Sequence, residues 1–424
     1  MNSRALFASG FAVLLLLAAG RSAQPPQTGA DPAATGSLRW WKGNLHTHTF
    51  WSDGDDFPDM VADWYRTHGY HFLALSDHNV LSRGERWAQA RALNRRAGID
   101  AVAKYRKRFG DTWVELRGRE QEGTLEVRLK PLDEVRTLVE ERGRFLMIES
   151  EEITGNAADG RALHMNATNI GELIPFVPGA TVRDTMVRNL VAVEEQSRRT
   201  GRDTLLHVNH PNYKWGVTAL DLAAVLSERF FEVWNGVDND NDPGDSEHPD
   251  TDRMWDIANI ARMTRYHGQP LFGLATDDSH DHHGNKSRAL PGRAWIMVRA
   301  RYLTPESLVR AIRAGEFYAS TGVVMDDIQF DRARRTLSLR IQPSGDEQFV
   351  TRFIGARGNS NEGEVLAEVK GTAPSYTMSA PRGTESGDGL LYVRAVVTST
   401  GKPAVPSAEH PYKRAWSQPF GWAE

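Results

Sequence analysis

The stretch that decides the interpretation of this chain is NLHTHTFWSDG, residues 44–54. His46 and His48 are two residues apart, a spacing that places both imidazoles on one face of a strand. Asp53 follows across a turn that is indicated by the sequence Ser-Asp-Gly. Two imidazoles and a carboxylate are side chains that suit a divalent transition metal ion. The stretch therefore predicts the first part of a metal site.

Further side chains of the same kind follow at or near the ends of predicted strands. They are His78, Glu152, His164, His210, Asp278 and His280. Each alone has an ordinary structural interpretation, such as a buried histidine, a turn residue or a helix cap. Together with the first three they exceed the ligands that one ion needs, so we expect two or three divalent ions, Zn²⁺, Mn²⁺ or Fe²⁺. Because the chain has no cysteine, all ligands must be His, Asp or Glu.

Predicted strands alternate with predicted helices through the first three quarters of the chain. The strands include 70–76, 145–148, 204–208, 230–234 and 271–276, and the helices include 82–109, 181–200 and 253–267. This alternation predicts an α/β fold with a mainly parallel sheet, in which sites gather at the carboxyl ends of the strands. About seven such units favour a barrel, although periodicity alone leaves closure of the sheet open.

The two ends of the chain differ from this pattern. Residues 1–23 have a basic start, an apolar middle and small residues, which predicts a signal peptide and an exported, periplasmic protein. Residues 24–39, rich in Pro, Gly and Ala, predict a disordered leader. Residues 323–424 show short alternating apolar runs with Gly and Pro between them, which predicts a small, sandwich-like β-rich domain.

Composition limits the partners. The 424 residues carry 51 Lys and Arg against 55 Asp and Glu, a formal net charge of −4. We therefore expect no stable nucleic-acid partner. We also expect no membrane span in the mature protein, because the apolar run near the start is shorter than the ~20 residues that a span needs. The expected partner is a small-molecule substrate, and its expected charge is negative.

Several motifs resemble those of the polymerase and histidinol phosphatase (PHP) superfamily. They are LHTH (45–48) with SDG (52–54), SDHN (76–79), EEIT (151–154), HP (210–211) and DSH (278–280). HMNA (164–167), EVWNG (232–236) and PGRAW (291–295) resemble the CehA/McbA branch of metallohydrolases. The resemblance covers about residues 40–322.

The resemblance implies a distorted (β/α)7 barrel over residues 40–322 with a di- or trinuclear metal site at its mouth. It implies that the nine His, Asp and Glu residues named above are the ligands. Glu152 is preferred to Glu149 and Glu151 because it precedes Ile153-Thr154. Asp77 is expected to act in catalysis by orienting a ligand.

Residues after the last ligand motif, DSH (278–280), are candidates for contact with the substrate. We expect Arg293 to clamp an anionic substrate in catalysis, with Arg288 and Lys286 as further candidates. His282 and His283 either assist protonation of the leaving group or are exposed loop residues, and the second interpretation is favoured. Lys214 and Trp215 are candidates for lining the cleft.

Metal clusters lower the pKa of bound water and create a hydroxide nucleophile. The predicted function is therefore a metal-dependent hydrolase, foremost a phosphoesterase acting on a small phosphate mono- or diester. The alternative is a carboxylic ester or carbamate hydrolase that uses the same metal site. A non-catalytic protein that retains metal is a third hypothesis.

Overall fold

The computed structural model describes residues 37–238, 240–379 and 389–422. The predicted signal peptide (1–23) and most of the predicted leader (24–39) lie outside the described residues. No helix within the described ranges has both the length and the apolar character that crossing a membrane takes.

The first half of the described chain runs through β1 (Arg39–Asn44), α1 (Pro58–Thr67), β2 (Phe72–Leu75), β3 (Arg86–Gln89), α2 (Ala90–Ala97), α3 (Ala101–Phe109), β4 (Leu116–Arg117), β5 (Glu126–Leu129), α4 (Leu132–Val139), β6 (Leu146–Asn156), β7 (Ala162–Thr168) and α5 (Val182–Thr200). It continues through β8 (Leu205–Val208), α6 (Ala219–Ala224), β9 (Phe230–Asn235), α7 (Thr251–Thr264), β10 (Phe272–Thr276), β11 (Trp295–Ala300), α8 (Pro305–Arg313) and β12 (Phe317–Ser320). The last part is formed by β13 (Met325–Asp331), β14 (Thr336–Ile341), β15 (Phe349–Arg357), β16 (Glu364–Lys370), β17 (Ser375–Thr377), β18 (Leu390–Ser399) and β19 (Arg414–Trp416).

Seven strands form the part of the sheet that positions the site, in the order β10-β9-β8-β7-β6-β2-β1. All neighbours in this run are parallel except β7, which is antiparallel to both β6 and β8. The start of β7 therefore lies at the same edge as the carboxyl ends of the other strands. The strands β2, β8, β9 and β10 are buried along their whole length, as expected where both faces of a sheet are covered.

The structure confirms the predicted mixed α/β class with its parallel-rich sheet. The two ends of the seven-strand run meet beyond the strands, where Thr47 and Ser279 form one isolated parallel bridge. Within the described residues, no continuous ladder joins β10 to β1. Closure into a barrel accordingly stays a prediction.

An insertion of residues 82–131 projects between β2 and α4. It contains α2, α3 and a small sheet in the order β3-β5-β4. The prediction of one helix over 82–109 is wrong because Gly98, in the left-handed region at φ 70°, ends α2. The side chain of Asp100 then accepts a hydrogen bond from the amide of Ala103 and caps α3. Helix α3 packs its buried Tyr105 on Phe57, just before α1.

The strands after residue 323 are attached to the sheet that carries the site. Strand β12 pairs with β19, and the order continues through β18, β15 and β16, while β13, β14 and β17 form a separate small sheet. Arg394 on β18 is buried and pairs with Asp256 on α7 at 2.8 Å. The Gln418 side chain exchanges two hydrogen bonds, both 3.0 Å, with the backbone of Gly273 on β10. The β-rich character follows the prediction, whereas the sandwich-like domain and its boundary at 322/323 stay predictions.

Candidate metal centre

His46 and His48 lie on an extended segment directly after β1. The strand ends at Asn44, before both histidines, and Thr47 between them forms an isolated parallel bridge to Ser279. Both imidazoles are buried, and their ring centroids lie 5.1 Å apart. The spacing of two residues therefore places both rings on one side of the chain, as predicted.

Four buried ligand atoms converge beside these rings, and we call them the inner group: His46 Nε2, His48 Nε2, Glu152 Oε2 and Asp278 Oδ1. The two Nε2 atoms lie 3.4 and 3.3 Å from Glu152 Oε2, and 3.1 and 3.0 Å from Asp278 Oδ1. Within the described ranges, none of the four atoms has a hydrogen-bond partner. Because buried polar atoms are nearly always paired, their convergence fits a divalent cation.

Glu152 lies at the centre of the cluster. Its carboxylate is within 4 Å of the side chains of His46, His48, His78, His164 and His210. Oε2 faces the first three histidines and Oε1 faces the last two. One carboxylate thus has two different sets of histidines, an arrangement that suits a ligand shared between two ions.

The structure brings Glu152, and neither Glu149 nor Glu151, to the cluster. Strand β6 is longer than the predicted 145–148 and runs to Asn156, so all three glutamates lie on it. Successive residues of a strand point to opposite faces. Glu149 therefore pairs with Arg83 on the other face, and Glu151 accepts a hydrogen bond from the amide of Ile174.

A second set of ligand-type side chains, which we call the outer group, consists of His48, Asp53, His78 and His280. The two Asp53 oxygens lie 3.5 Å from His78 Nε2 and 3.4 Å from His280 Nε2. The rings of His48 and His280 stack at 4.0 Å between centroids. The Asp53 side chain is 56% exposed, so the outer group faces the solvent, whereas the inner group is buried.

Three further sets complete the cluster. They are His46, Glu152 and His210; His78, Glu152 and His164; and His210, Asp240 and Asp278. The structure thus brings all nine predicted ligands together, while their role as ligands stays a prediction. Asp240 was not predicted. It lies in a loop with several aspartates, and the spacing of residues there gives no means of choosing one.

Glu232 is a second functional residue that the ligand prediction missed. It lies within β9, and its carboxylate accepts hydrogen bonds from His46 Nδ1 and the amide of His210, both at 2.8 Å. Thr276 Oγ1 also donates to it at 2.6 Å. An Nδ1 proton held by Glu232 leaves the Nε2 lone pair of His46 directed into the inner group. The available signal was a glutamate in an otherwise apolar strand.

Asp77 positions the chain between two ligands and does not contact the inner group. Its Oδ1 accepts hydrogen bonds from the amides of Thr49 and Ser52 at 2.8 and 3.0 Å, and Oδ2 accepts one from Thr49 Oγ1. It thereby fixes the turn between His48 and Asp53. This placement agrees with the orienting role that was predicted for Asp77.

Arg293 does not reach the cluster, and the predicted clamp role is wrong on physical grounds. The guanidinium is buried, and its five N–H groups donate to the carbonyl oxygens of residues 236, 287, 288 and 406 and to Asp238 Oδ2. No donor is left for a substrate. Arg293 instead holds together the loops behind the site.

The interpretation of His282 and His283 as exposed loop residues is also wrong. The His283 side chain is buried, and burial lowers the pKa of His282 to about 3. Lys286 pairs with Asp55 at 3.1 Å. These residues join two loops, as described below, and contribute no side chain to the cleft.

Two ligand-type residues and one neighbour adopt strained backbone conformations. His210 (21°), Asp278 (46°) and Asn79 (49°) have positive φ although they lack the freedom of glycine. Such conformations cost roughly 1–3 kcal/mol each and persist where surrounding contacts enforce them. The hydrogen bond from the His210 amide to Glu232 is one such contact.

The histidines and carboxylates of the cluster shift each other's pKa values. Burial disfavours the charged form of His78, but the carboxylates of Glu152 and Asp53 together outweigh burial and raise the pKa of His78 to about 11. In the same way Glu152, Asp240 and Asp278 together raise the pKa of His210 to about 9. Burial, with His280 and His78 nearby, lowers the pKa of His48 to about 4. Protons on histidines thus balance the carboxylates, and a cation must displace these protons to bind.

A cleft of about 300 Å³ opens onto the cluster. Its lining includes seven of the nine predicted ligands, all except His46 and His48, together with Tyr213, Val237, Asp240, Asp281 and Arg288. Lys214 and Trp215, the predicted lining residues, are not part of it; the ring of Trp215 stacks on His248 at 3.9 Å. Arg288 is the arginine of the described lining; its side chain is 60% exposed and lies 3.6 Å from Asp240.

Comparisons with known proteins find structural neighbours at low similarity. No family model matches the chain, and no curated protein matches it. A two-domain protein from Bacteroides vulgatus, containing a predicted PHP-like metal-dependent phosphoesterase, is 15% identical, with a TM-score of 0.38 over 90% of this chain and 95% of that one.

Two further solved structures are similar over a smaller part of the chain. PsfC from Pseudomonas syringae is 12% identical, with a TM-score of 0.33 over 65% of this chain and 88% of its own. A putative metal-dependent phosphoesterase from Bifidobacterium adolescentis is 13% identical, with a TM-score of 0.32 over 64% and 95%. At these scores no function is transferred from the neighbours to this chain.

Proposed function

We propose that the protein is a metal-dependent hydrolase, and specifically a phosphoesterase that cleaves a small phosphate mono- or diester. The observation that carries the proposal is the inner group. Two imidazole nitrogens and two carboxylate oxygens are buried together without hydrogen-bond partners among the described residues. Nitrogen and oxygen donors of this kind accommodate Zn²⁺, Mn²⁺ or Fe²⁺.

The residues that would hold the ions fall into overlapping sets, and two or three ions would use them fully. Glu152 and Asp278 each belong to two or more sets, so they would be shared ligands. Bound ions of this kind lower the pKa of water and polarise a phosphoryl or carbonyl oxygen. The protein's own contribution is orientation, in which Glu232 fixes the tautomer of His46 and Asp77 fixes the turn between His48 and Asp53.

The cleft supports a small substrate. A volume of about 300 Å³ is at the lower end of the range typical of small-molecule sites. We propose Arg288, in place of Arg293, as the contact for an anionic group, because its guanidinium is exposed at the cleft. We retain the proposal that no nucleic acid is a stable partner, and export of the chain stays a prediction.

The charge of the lining bears on the choice between phosphate and carbonyl substrates. Five carboxylates line the cleft, those of Asp53, Glu152, Asp240, Asp278 and Asp281, against the single guanidinium of Arg288. Two divalent ions would balance the resulting four negative charges, and a third would leave an excess of two positive charges. Three ions therefore favour an anionic phosphate ester, because the excess positive charge would attract a negative substrate.

The carboxylic ester or carbamate alternative is favoured by this acidic lining if only two ions bind. It is also the chemistry suggested by the motif resemblance to the CehA/McbA branch. The number of bound ions and the substrate class are thus linked in this proposal.

The experiment is hydrolysis by metal-reconstituted protein of three chromogenic substrates in parallel: a nitrophenyl phosphomonoester, a bis-nitrophenyl phosphodiester and a naphthyl carbamate. Cleavage of a phosphate ester that chelator abolishes supports the proposal. Carbamate cleavage with both phosphates unchanged would replace it by the alternative. Absence of all three activities in protein with bound metal would indicate a metal-binding protein that is not a hydrolase.

The role of Arg288 is tested in the same assay. Arg288→Met is expected to raise KM for the phosphate ester about tenfold or more, since a charge-assisted contact contributes roughly 1.5–3 kcal/mol. The matched control is Arg95→Met, an exposed arginine on α2. An equal effect of both variants, or none from Arg288→Met, would contradict the role.

A further inference from the structure

Two loops that carry ligand-type residues are bound to each other. One contains Asp53, Asp55 and Asp56, and the other begins at His280. The amide of Asp55 donates to the carbonyl of His280 at 3.0 Å, and the amide of His282 donates to Asp55 Oδ1 at 2.7 Å. Because these bonds run in both directions between the loops, a displacement of one loop displaces the other.

The loops also contain two buried carboxylates that need positive partners. Asp55 and Asp56 are 1% and 2% exposed. Lys104, on α3 of the insertion, lies with its Nζ 2.9 Å from Asp56 Oδ2, and Lys286 lies 3.1 Å from Asp55 Oδ2. A buried carboxylate that loses its cation carries a large desolvation penalty, so these contacts stabilise the paired loops.

Lys104 contacts both loops at once. Besides Asp56 on the first loop, its Nζ lies 2.8 Å from His283 Nδ1 and 3.4 Å from the carbonyl oxygen of His282 on the second. His283 Nε2 in turn bonds to the carbonyl oxygen of Asp55 at 2.7 Å. One ammonium group from the insertion therefore closes a network that includes the backbone on both sides.

The paired loops supply half of the outer group. Asp53 precedes the buried carboxylates Asp55 and Asp56 by two and three residues, and His280 begins the second loop. The protein contacts of the Asp53 carboxylate are with histidines of the outer group and with Ser52, and the side chain is 56% exposed. Its position therefore depends on the loop backbone. Two residues of the inner group differ, because His46 is held by Glu232, buried within β9, and Glu152 is held by Asn209, buried directly after β8.

We propose that Lys104 is a positioning residue for the outer group, through which the insertion sets the affinity of a divalent ion bound by His48, Asp53, His78 and His280. The inner group, which shares His48 with the outer group, depends on this contact less, because His46 and Glu152 are held by Glu232 and Asn209. The inference rests on the proposed metal-dependent function. It adds that the bound ions differ in how strongly their affinity depends on residues that are not ligands.

The test compares Lys104→Met with Lys107→Met, an exposed lysine on the same helix. Each folded protein is loaded with Zn²⁺ or Mn²⁺ and dialysed against graded chelator, and bound metal per chain is measured by mass spectrometry. Removal of a residue that supports metal ligands typically weakens metal binding about 10–100-fold. We expect Lys104→Met to lose one equivalent of bound metal at a chelator concentration about 10–100-fold lower than the control does. The remaining metal is expected to be retained as in the control.

Two further variants separate positioning from general destabilisation. Lys104→Arg keeps a cation and is expected to restore most of the lost affinity, and Lys286→Met, which removes the second cation from this network, is expected to weaken the same single equivalent. If Lys104→Met lost all of its bound metal together, and its metal-free form unfolded at a lower midpoint than the wild type, the role of Lys104 would be merely structural. Unchanged metal content in Lys104→Met would overturn the inference, whereas a wild-type protein that binds no divalent ion would overturn the proposed function itself.

Discussion

The substitution Glu232→Gln tests how the protein directs a histidine toward the inner group. The shape of the side chain is nearly unchanged, but one acceptor oxygen becomes an NH₂ group. In the structure Oε1 faces His46 Nδ1 and Thr276 Oγ1, and Oε2 faces the amide of His210 and the Asn235 side chain. In either orientation of the glutamine amide, its NH₂ group therefore faces two groups that donate hydrogen bonds to Glu232 in the wild type.

The magnitude follows from the two orientations. If NH₂ faces the amide of His210, a buried backbone donor loses its partner at a cost of roughly 1–3 kcal/mol. If NH₂ faces His46, the imidazole must accept at Nδ1 and carry its proton on Nε2. The lone pair then no longer points to the inner group. Both outcomes predict metal affinity about 10–100-fold weaker than in the wild type.

The assay is competition for Zn²⁺ or Mn²⁺ with a chromophoric chelator, with circular dichroism to confirm folding. The matched control is Glu228→Gln, a buried glutamate whose carboxylate accepts bonds from the amides of Arg229 and Phe230, outside the cluster. We expect the control to bind metal as the wild type does. Wild-type affinity in folded Glu232→Gln would refute the assignment of Glu232 as the residue that fixes His46.

Three other perturbations have defined outcomes. Burial raises the pKa of Glu228 to about 8 in the folded protein, so between about pH 4.5 and 8 the folded state binds more protons than the unfolded state and loses stability as the pH rises. In urea unfolding, the free energy of unfolding of the wild type should therefore fall relative to that of Glu228→Gln by a few kcal/mol across this range, at ~1.4 kcal/mol per pKa unit. Parallel pH dependence of the two proteins would contradict the shift. Gly236→Ala should displace the chain before Asp278, because the added Cβ would overlap the carbonyl oxygen of Asp277, and bound metal should fall; full metal content would show that the loop can move freely. Arg394→Met leaves Asp256 buried without its guanidinium and should cost about 3–5 kcal/mol in chemical denaturation, and a cost near zero would show that the attachment of the C-terminal strands does not depend on this pair.

The ligand set could be predicted from sequence because metal binding constrains residue type strongly. Histidines and carboxylates at intervals near strand ends, in a chain without cysteine, leave few alternatives. The structure places His46, His48 and the other predicted ligands in one cluster, and the choice of Glu152 follows from strand alternation once β6 is known to extend to Asn156.

Residues that act through tertiary contacts could not be predicted in the same way. Arg293 follows the last ligand motif and has the charge expected of a substrate clamp, yet its donors are all used by carbonyl oxygens and Asp238. Lys104 lies on a helix far from every motif, and its contact with Asp56 depends on how the insertion folds back. Sequence periodicity carries no information on such contacts.

The extent of the sheet was likewise beyond the sequence. The change of pattern near residue 323 predicted the β-rich character of the remaining chain. It gave no indication that β19 returns to pair with β12, or that Gln418 bonds to Gly273 in the part of the sheet that carries the site. Such long-range pairings are set by packing between distant segments.

The most direct test of the central claim is anomalous diffraction from crystals of the metal-loaded protein, recorded at the absorption edge of the ion. We predict a peak about 2.0–2.2 Å from His46 Nε2, His48 Nε2 and Glu152 Oε2, with one or two further peaks in the adjoining ligand sets. The same measurement on Glu152→Gln should show these peaks weakened or absent. Full occupancy of metal elsewhere on the protein, with no peak at the inner group, would contradict the account.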